Sequence, residues 1–175
     1  MLGGNYPLLE ELEAHAAAFH PSEAALFFPS GYATLSGLIS TLAACGDLIL
    51  YDALVHASAH EGMLPPPAAR SPFAHNQFAD LIAIGESDVQ RTPEKGVATA
   101  SDATLPQVIM LVEIIYSMDG DLAPLADLAA ACKQRGWHRL VEEAHAPDLA
   151  GPHGERMEVE LGMKAQVFAR LITYR

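Results

Sequence analysis

Residues 140 to 145 set two acids and a histidine, Glu142, Glu143 and His145, directly behind a short apolar run. A carboxylate at the mouth of a buried strand is costly unless a cationic group meets it. The stretch therefore points to a ligand with positive character, the ordinary alternative being a strand end with two solvated glutamates and a satisfied histidine. Ser30-Gly31-Tyr32 stands where a helix begins. Backbone N–H groups and the positive end of the helix dipole could hold a phosphate there, with Gly31 letting the anion come close; a plain N-cap accounts for the same residues. His56 and His60 lie four apart and would share a helix face. A metal needs a third ligand and the chain offers no partner motif, which leaves an imidazole stacked on an aromatic ligand or an ordinary surface helix. Asp119 and Asp121 flank Gly120 in a turn-rich stretch from Tyr116, calcium-like in composition but without the full ligand loop. Lys95, Lys133 and Lys164 are the three lysines, and none stands where a desolvated nucleophile is expected.

These residues need a scaffold, and hydrophobic periodicity supplies one. Leu8, Leu9, Leu12, Ala16 and Phe19 recur at helical spacing behind Pro7, predicting an amphipathic helix over 7–19. Ala24 to Phe28 reads as a short strand, Ser30-Gly31 as a tight turn and 32–44 as a helix. Leu48 to Tyr51 reads as a strand that leads into a histidine-bearing helical segment, 55–63. Pro65-Pro66-Pro67 breaks the pattern, a brief strand is expected around Phe73, and 87–104 reads as a loop. Val108 to Ile115 is the most apolar strand, followed by a helix over 124–136, a strand from Leu140 and another over 167–174. Short buried strands alternating with helices predict an α/β fold: three layers, a mostly parallel sheet with helices on both faces. Ligands of such sheets collect beyond the carboxyl ends of the strands, which would gather Ser30-Gly31, His56, Ser117 and Glu142 to His145 on one edge.

Composition narrows the function. The chain has 175 residues, half of them apolar, enough for one well-stocked core. Ten basic against 22 acidic residues give a formal charge of -12, which repels phosphate backbones and anionic membranes, so nucleic acid is an unexpected partner. Glu142 to His145 resembles the Asp-Glu-Ala-His signature of nucleotide-driven helicases, but the chain has no Gly-x-x-x-x-Gly-Lys-Ser/Thr loop. Cys45 and Cys132 form no disulfide or metal pattern, and no membrane span or signal segment is evident, so a cytoplasmic location is expected.

Taken in order, Gly3-Gly4-Asn5 through Leu12-Glu13, Phe28-Pro29-Ser30-Gly31-Tyr32-Ala33, Tyr51 to Ser58, His75-Asn76, Tyr116 to Asp121 and Glu143-Ala144-His145 resemble the α-oxoamine synthase family. This is a branch of the pyridoxal 5'-phosphate enzymes with the aspartate aminotransferase type of fold. The likeness covers nearly the whole chain and is nearest to the biotin-pathway branch through Tyr51 to Ser58. It implies that residues 1–175 are a partial cofactor-binding large domain, lacking the N-terminal lead-in segment and the C-terminal small domain. It also implies a decarboxylating condensation of an amino acid with an acyl-CoA, alanine and pimeloyl-CoA in that branch, by a homodimer. By resemblance, Ser30, Gly31 and Tyr32 hold the cofactor phosphate with Thr173, His56 stacks on the pyridine ring, and Glu142 pairs with the ring nitrogen. His145, the one catalytic residue assigned, and Ser117 lie near the ring oxygen.

Three departures stand out. Glu142 replaces the family's aspartate, one methylene longer. Leu9 stands where many relatives have histidine, and Pro147-Asp148-Leu149 replaces smaller residues. The Schiff-base lysine would follow Arg175, so these residues alone are expected to be inactive, the alternative being a non-catalytic remnant or a cofactor-binding, dimerising module.

Overall fold

The computed structural model describes residues 6–20, 22–64, 68–91, 107–146 and 167–174. Five parallel strands form one sheet: β1 (Leu48–Asp52), β2 (Ala69–Phe73), β3 (Val108–Glu113), β4 (His138–Glu142) and β5 (Ala169–Leu171). Their order is β2-β1-β3-β4-β5, so the chain reverses direction across the sheet between β1 and β3. Helices α1 (Pro7–Phe19), α2 (Gly31–Leu42), α3 (Ala57–Gly62), α4 (Phe78–Arg91) and α5 (Leu125–Arg135) complete the described elements.

Strand alternation sorts the core into two halves. Ile49, Ile109, Leu111, Leu140 and Leu171 pack with Leu35, Ile39 and Ala59 of α2 and α3. Leu48, Leu50, Met110, Val112 and Val141 face Leu81 of α4 and Leu128, Ala129 and Cys132 of α5. Helices thus cover both faces, as expected of strands that are apolar on both sides. The same alternation puts Glu113 and Glu142, at the ends of their strands, on the α2–α3 side.

Polar side chains fix the strand edges. The Asp47 carboxylate accepts from the N–H of Ala44 at 2.8 Å and of Gln107 at 2.9 Å, tying the starts of β1 and β3 together. At the C-terminus of α5, Gly136 adopts φ 68° and its N–H bonds to the Cys132 carbonyl, an end that a Cβ would strain.

Several expectations are corrected. Residues 24–28 form no strand: Leu26 is 74% exposed, and the Phe27 N–H donates to Glu13 Oε1 instead of a ladder. Residues 87–91 are not loop but the last turn and a half of α4, whose Leu81 is fully buried against β1. Helix α1 forms over the expected span, yet Leu8, Leu12 and Phe19 stay exposed and Ala17 is its buried residue. The expected loop over 92–104, the proline run 65–67, Lys95, Lys164 and Pro147-Asp148-Leu149 lie outside the described residues. No described helix is long and apolar enough to cross a membrane.

Candidate active site

The site forms where α2 and α3 begin, over the carboxyl ends of β3, β4 and β5. Ser30 is extended at φ -161° and caps α2, its Oγ accepting from the Ala33 N–H at 3.1 Å. That leaves the first turn open at Gly31, where an added Cβ would lie 2.7 Å from Thr173 Cγ2. Gly31 is therefore required by a close approach, and the Thr173 hydroxyl, donating to the Ala144 carbonyl at 3.0 Å, is held beside the helix start. The Glu143 N–H donates to the Leu171 carbonyl at 2.8 Å and joins the turn after β4 to the same corner.

His56 caps α3. Its Nδ1 lies 3.2 Å from the Ser58 nitrogen, accepting that N–H, and 2.8 Å from Ser58 Oγ. The Tyr32 ring meets it edge-on, with centroids 6.2 Å apart and planes at 84°, while the Tyr32 hydroxyl donates to Glu61 of α3. The expected phosphate turn and the expected stacking imidazole are thus neighbours across the α2–α3 contact.

Glu113 and Glu142 are register partners on adjacent strands, 2% and 7% exposed. Side chains at paired positions of parallel strands project to the same face about 4.8 Å apart at the backbone. Burial raises the Glu113 carboxyl, backbone hydrogen bonds from His56 and Ser117 lower it, and Asp52 raises it; the net direction is up. Burial, then the charge of Glu113, pushes Glu142 up to about 7, and its Oε2 is buried without a hydrogen-bond partner. Glu143 points to the other side of the strand, 3.2 Å from Arg170 Nε. Of the two adjacent acids, Glu142 alone looks into the site with an unspent acceptor.

His75 forms a second cluster, for which the residue pattern offered no role. Its Nδ1 is 2.9 Å from Asp52 Oδ1 and its Nε2 is 2.8 Å from Asp121 Oδ2. The Tyr116 ring meets it edge-on at 4.5 Å. Burial works to lower the His75 pKa, but bonding to the two carboxylates outweighs it and the net shift is upward. Asn76, at φ 54°, donates its backbone N–H to Asp52 and its amide to Asp121. This cluster clamps the turn bearing Ser117 to the end of β1, at the edge where the sheet order reverses. Among the described residues, His75, Asp119 and Asp121 could converge on a cation, with ligand atoms within 4.8 Å of one another.

Of the expected site residues, Ser30, Gly31, Tyr32, His56, Ser117, Glu142 and Thr173 lie along one edge. Gly31 touches Thr173, Tyr32 meets His56, and Glu113 joins His56 and Ser117 to Glu142. His145 is half-buried in the turn after β4. The sequence signal for Glu113 is a second acid closing an apolar strand.

A family model, aminotransferase class I and II, matches residues 2–168. The chain belongs to that family. The 8-amino-7-oxononanoate synthase of Emericella nidulans is 37% identical over 99% of the chain and 42% of its own length. The serine palmitoyltransferase of Sphingomonas paucimobilis is 32% identical over 95% of the chain and 36% of its length. A solved variant of that palmitoyltransferase, with a bound PLP–myriocin aldimine, superposes with a TM-score of 0.79 at 32% identity, over 95% of the chain and 40% of the solved one. These relatives bear out the α-oxoamine synthase resemblance and the parallel-sheet fold that it implied. The chain spans about two fifths of the length of the curated relatives it matches.

Proposed function

We propose that this chain supplies the pyridoxal-phosphate cradle of a transferase that joins an amino acid to an acyl-CoA with loss of carbon dioxide, of the 8-amino-7-oxononanoate synthase type. One observation carries the reading: the buried Glu142 carboxylate, whose Oε2 has no hydrogen-bond partner, shares an edge with an open helix start at Gly31 beside Thr173. An anion-binding turn and a buried acid fit the phosphate and the ring nitrogen of one small molecule. When bound, the cofactor acts as an electron sink for the substrate's α-carbon.

The chain's own residues bind and orient. Backbone N–H groups of α2's first turn, with the Thr173 hydroxyl, hold the phosphate. His56, fixed by Ser58, offers its ring face. Glu142 holds a proton at the ring nitrogen, and Ser117 and His145 border the ring oxygen, His145 being the residue placed to touch reacting atoms. The exposed Leu8, Leu12 and Phe19 of α1, with Leu26 to Phe28, support a homodimer in which a second copy covers them.

The test is CoA release, followed with a thiol reagent, from a protein in which this chain is joined to the C-terminal remainder of the Emericella nidulans relative. Release that requires pyridoxal phosphate, alanine and pimeloyl-CoA together is expected. Release with serine and palmitoyl-CoA alone, or with neither pair, contradicts the assignment.

A further inference from the structure

We propose that Glu113 and Glu142 form a proton-holding pair, in which burial and the neighbouring Glu113 keep Glu142 protonated in the empty site, and Glu142 gives up that proton when a protonated pyridine ring arrives. The inference rests on the cofactor reading above and assigns Glu113 a positioning role that acts through Glu142.

The geometry sets both the sharing and its direction. The two acids sit on paired positions of β3 and β4, on one face and both buried, where two negative charges repel strongly. Backbone hydrogen bonds from His56 and Ser117 favour the ionised form of Glu113. Glu142 Oε2 has no such donor, so the pair's proton belongs on Glu142. The longer glutamate side chain at this position brings its carboxyl group further from its own strand than aspartate would. Charged and titratable groups around the pair come from each neighbouring element. Asp52 at the end of β1 adds repulsion, and His75 beyond β2 offsets it. His56 heads α3, and His145 follows β4; Glu143 and its partner Arg170 face the other way.

The step balances without a co-reactant. The O–H bond of Glu142 breaks and its proton passes to solvent, leaving a carboxylate against a pyridine nitrogen that is already protonated, as it is in 3-hydroxypyridines near neutral pH. Below the pair's titration, binding therefore releases one proton; above it, none.

Two measurements test this. In the chain without ligand, a 13C titration of glutamate carboxyls is expected to show one group titrating near neutrality, absent in Glu142→Gln and moved to lower pH in Glu113→Gln. A Glu142 carboxyl in the ordinary range, or one indifferent to Glu113→Gln, overturns the pair. Should Glu113→Gln not fold, the first of those results still decides. The second measurement is calorimetry with 4-deoxypyridoxine 5'-phosphate, which lacks the aldehyde, in buffers of different ionisation heat. Proton release is expected to fall from near one at about pH 6 to near zero at about pH 8, and already to be smaller at about pH 6 in Glu113→Gln. Phosphate titration is common to both proteins and cancels in the comparison. Equal release by both proteins overturns the coupling. Failure of the probe to bind at all defeats the cofactor reading, while the ligand-free titration still judges the pair.

Discussion

At Gly31 the room for one methyl group decides whether a helix start can receive an anion. A Cβ there would press on Thr173 Cγ2 at 2.7 Å, and Thr173 is held by its bond to Ala144. Gly31→Ala should weaken binding of 4-deoxypyridoxine 5'-phosphate by about 1–2 kcal/mol, roughly five- to thirtyfold. Adding Thr173→Ser removes the opposing methyl and keeps the hydroxyl, so the double variant should recover most of the affinity in calorimetry. Glu142 makes a second residue-level prediction, on stability. Its folded pKa, about 7, lies above the ordinary 4.5, so the native state binds more protons between those values and stability falls as pH rises from about 4.5 to about 7. Glu142→Gln should be neutral near pH 5 and stabilising by up to about 3 kcal/mol at pH 8, measured by urea denaturation at both pH values. Equal effects at the two pH values would show that the carboxyl is not held up by its surroundings. The family resemblance singled out Glu142 where the residues alone did not: two adjacent acids behind an apolar run look alike until strand alternation turns one towards α2 and the other towards Arg170. Glu113 and His75 escaped because their partners are set by register and by a turn from distant sequence, which no local pattern encodes.

Elements carry these residues into place, and the α2–α3 contact matters most. Gly62, the last residue of α3, lies against the backbone of α2: a Cβ would meet the Ser36 carbonyl oxygen at 2.7 Å and Ser36 Cα at 2.8 Å. Backbone cannot rotate away as a side chain can, so Gly62→Ala should cost about 1–3 kcal/mol in thermal or urea unfolding and move His56 off Tyr32. A folded variant with unaltered stability would show that the close approach is not needed. Helices α1, α2, α3 and α5 and all five strands were readable from periodicity and turn residues, within a few residues at their ends. Helix α4 was hidden because its polar second half, Glu86 to Gln90, resembles a loop; burial of Leu81 and the bond from Arg135 to Glu86 hold it as helix. The reverse error, at Leu26 to Phe28, came from taking an apolar run as a buried strand when the chain leaves it outside the sheet.

For the molecule as a whole, the parallel sheet explains why residues from Ser30 to Thr173 converge. Every described strand ends on the same edge, and α2 and α3 bring their N-termini to it. The net charge of -12 makes a cradle for an anionic cofactor depend on local backbone dipoles rather than on the overall field. The central claim is that these separate segments make one ligand site, and its most direct test is an amide chemical-shift map of the chain titrated with 4-deoxypyridoxine 5'-phosphate. The largest shifts are predicted at Gly31 to Ala33, His56, Ser117 and Glu142, saturating together at one ligand concentration. Shifts confined to other surfaces, or segments that saturate independently, would contradict it.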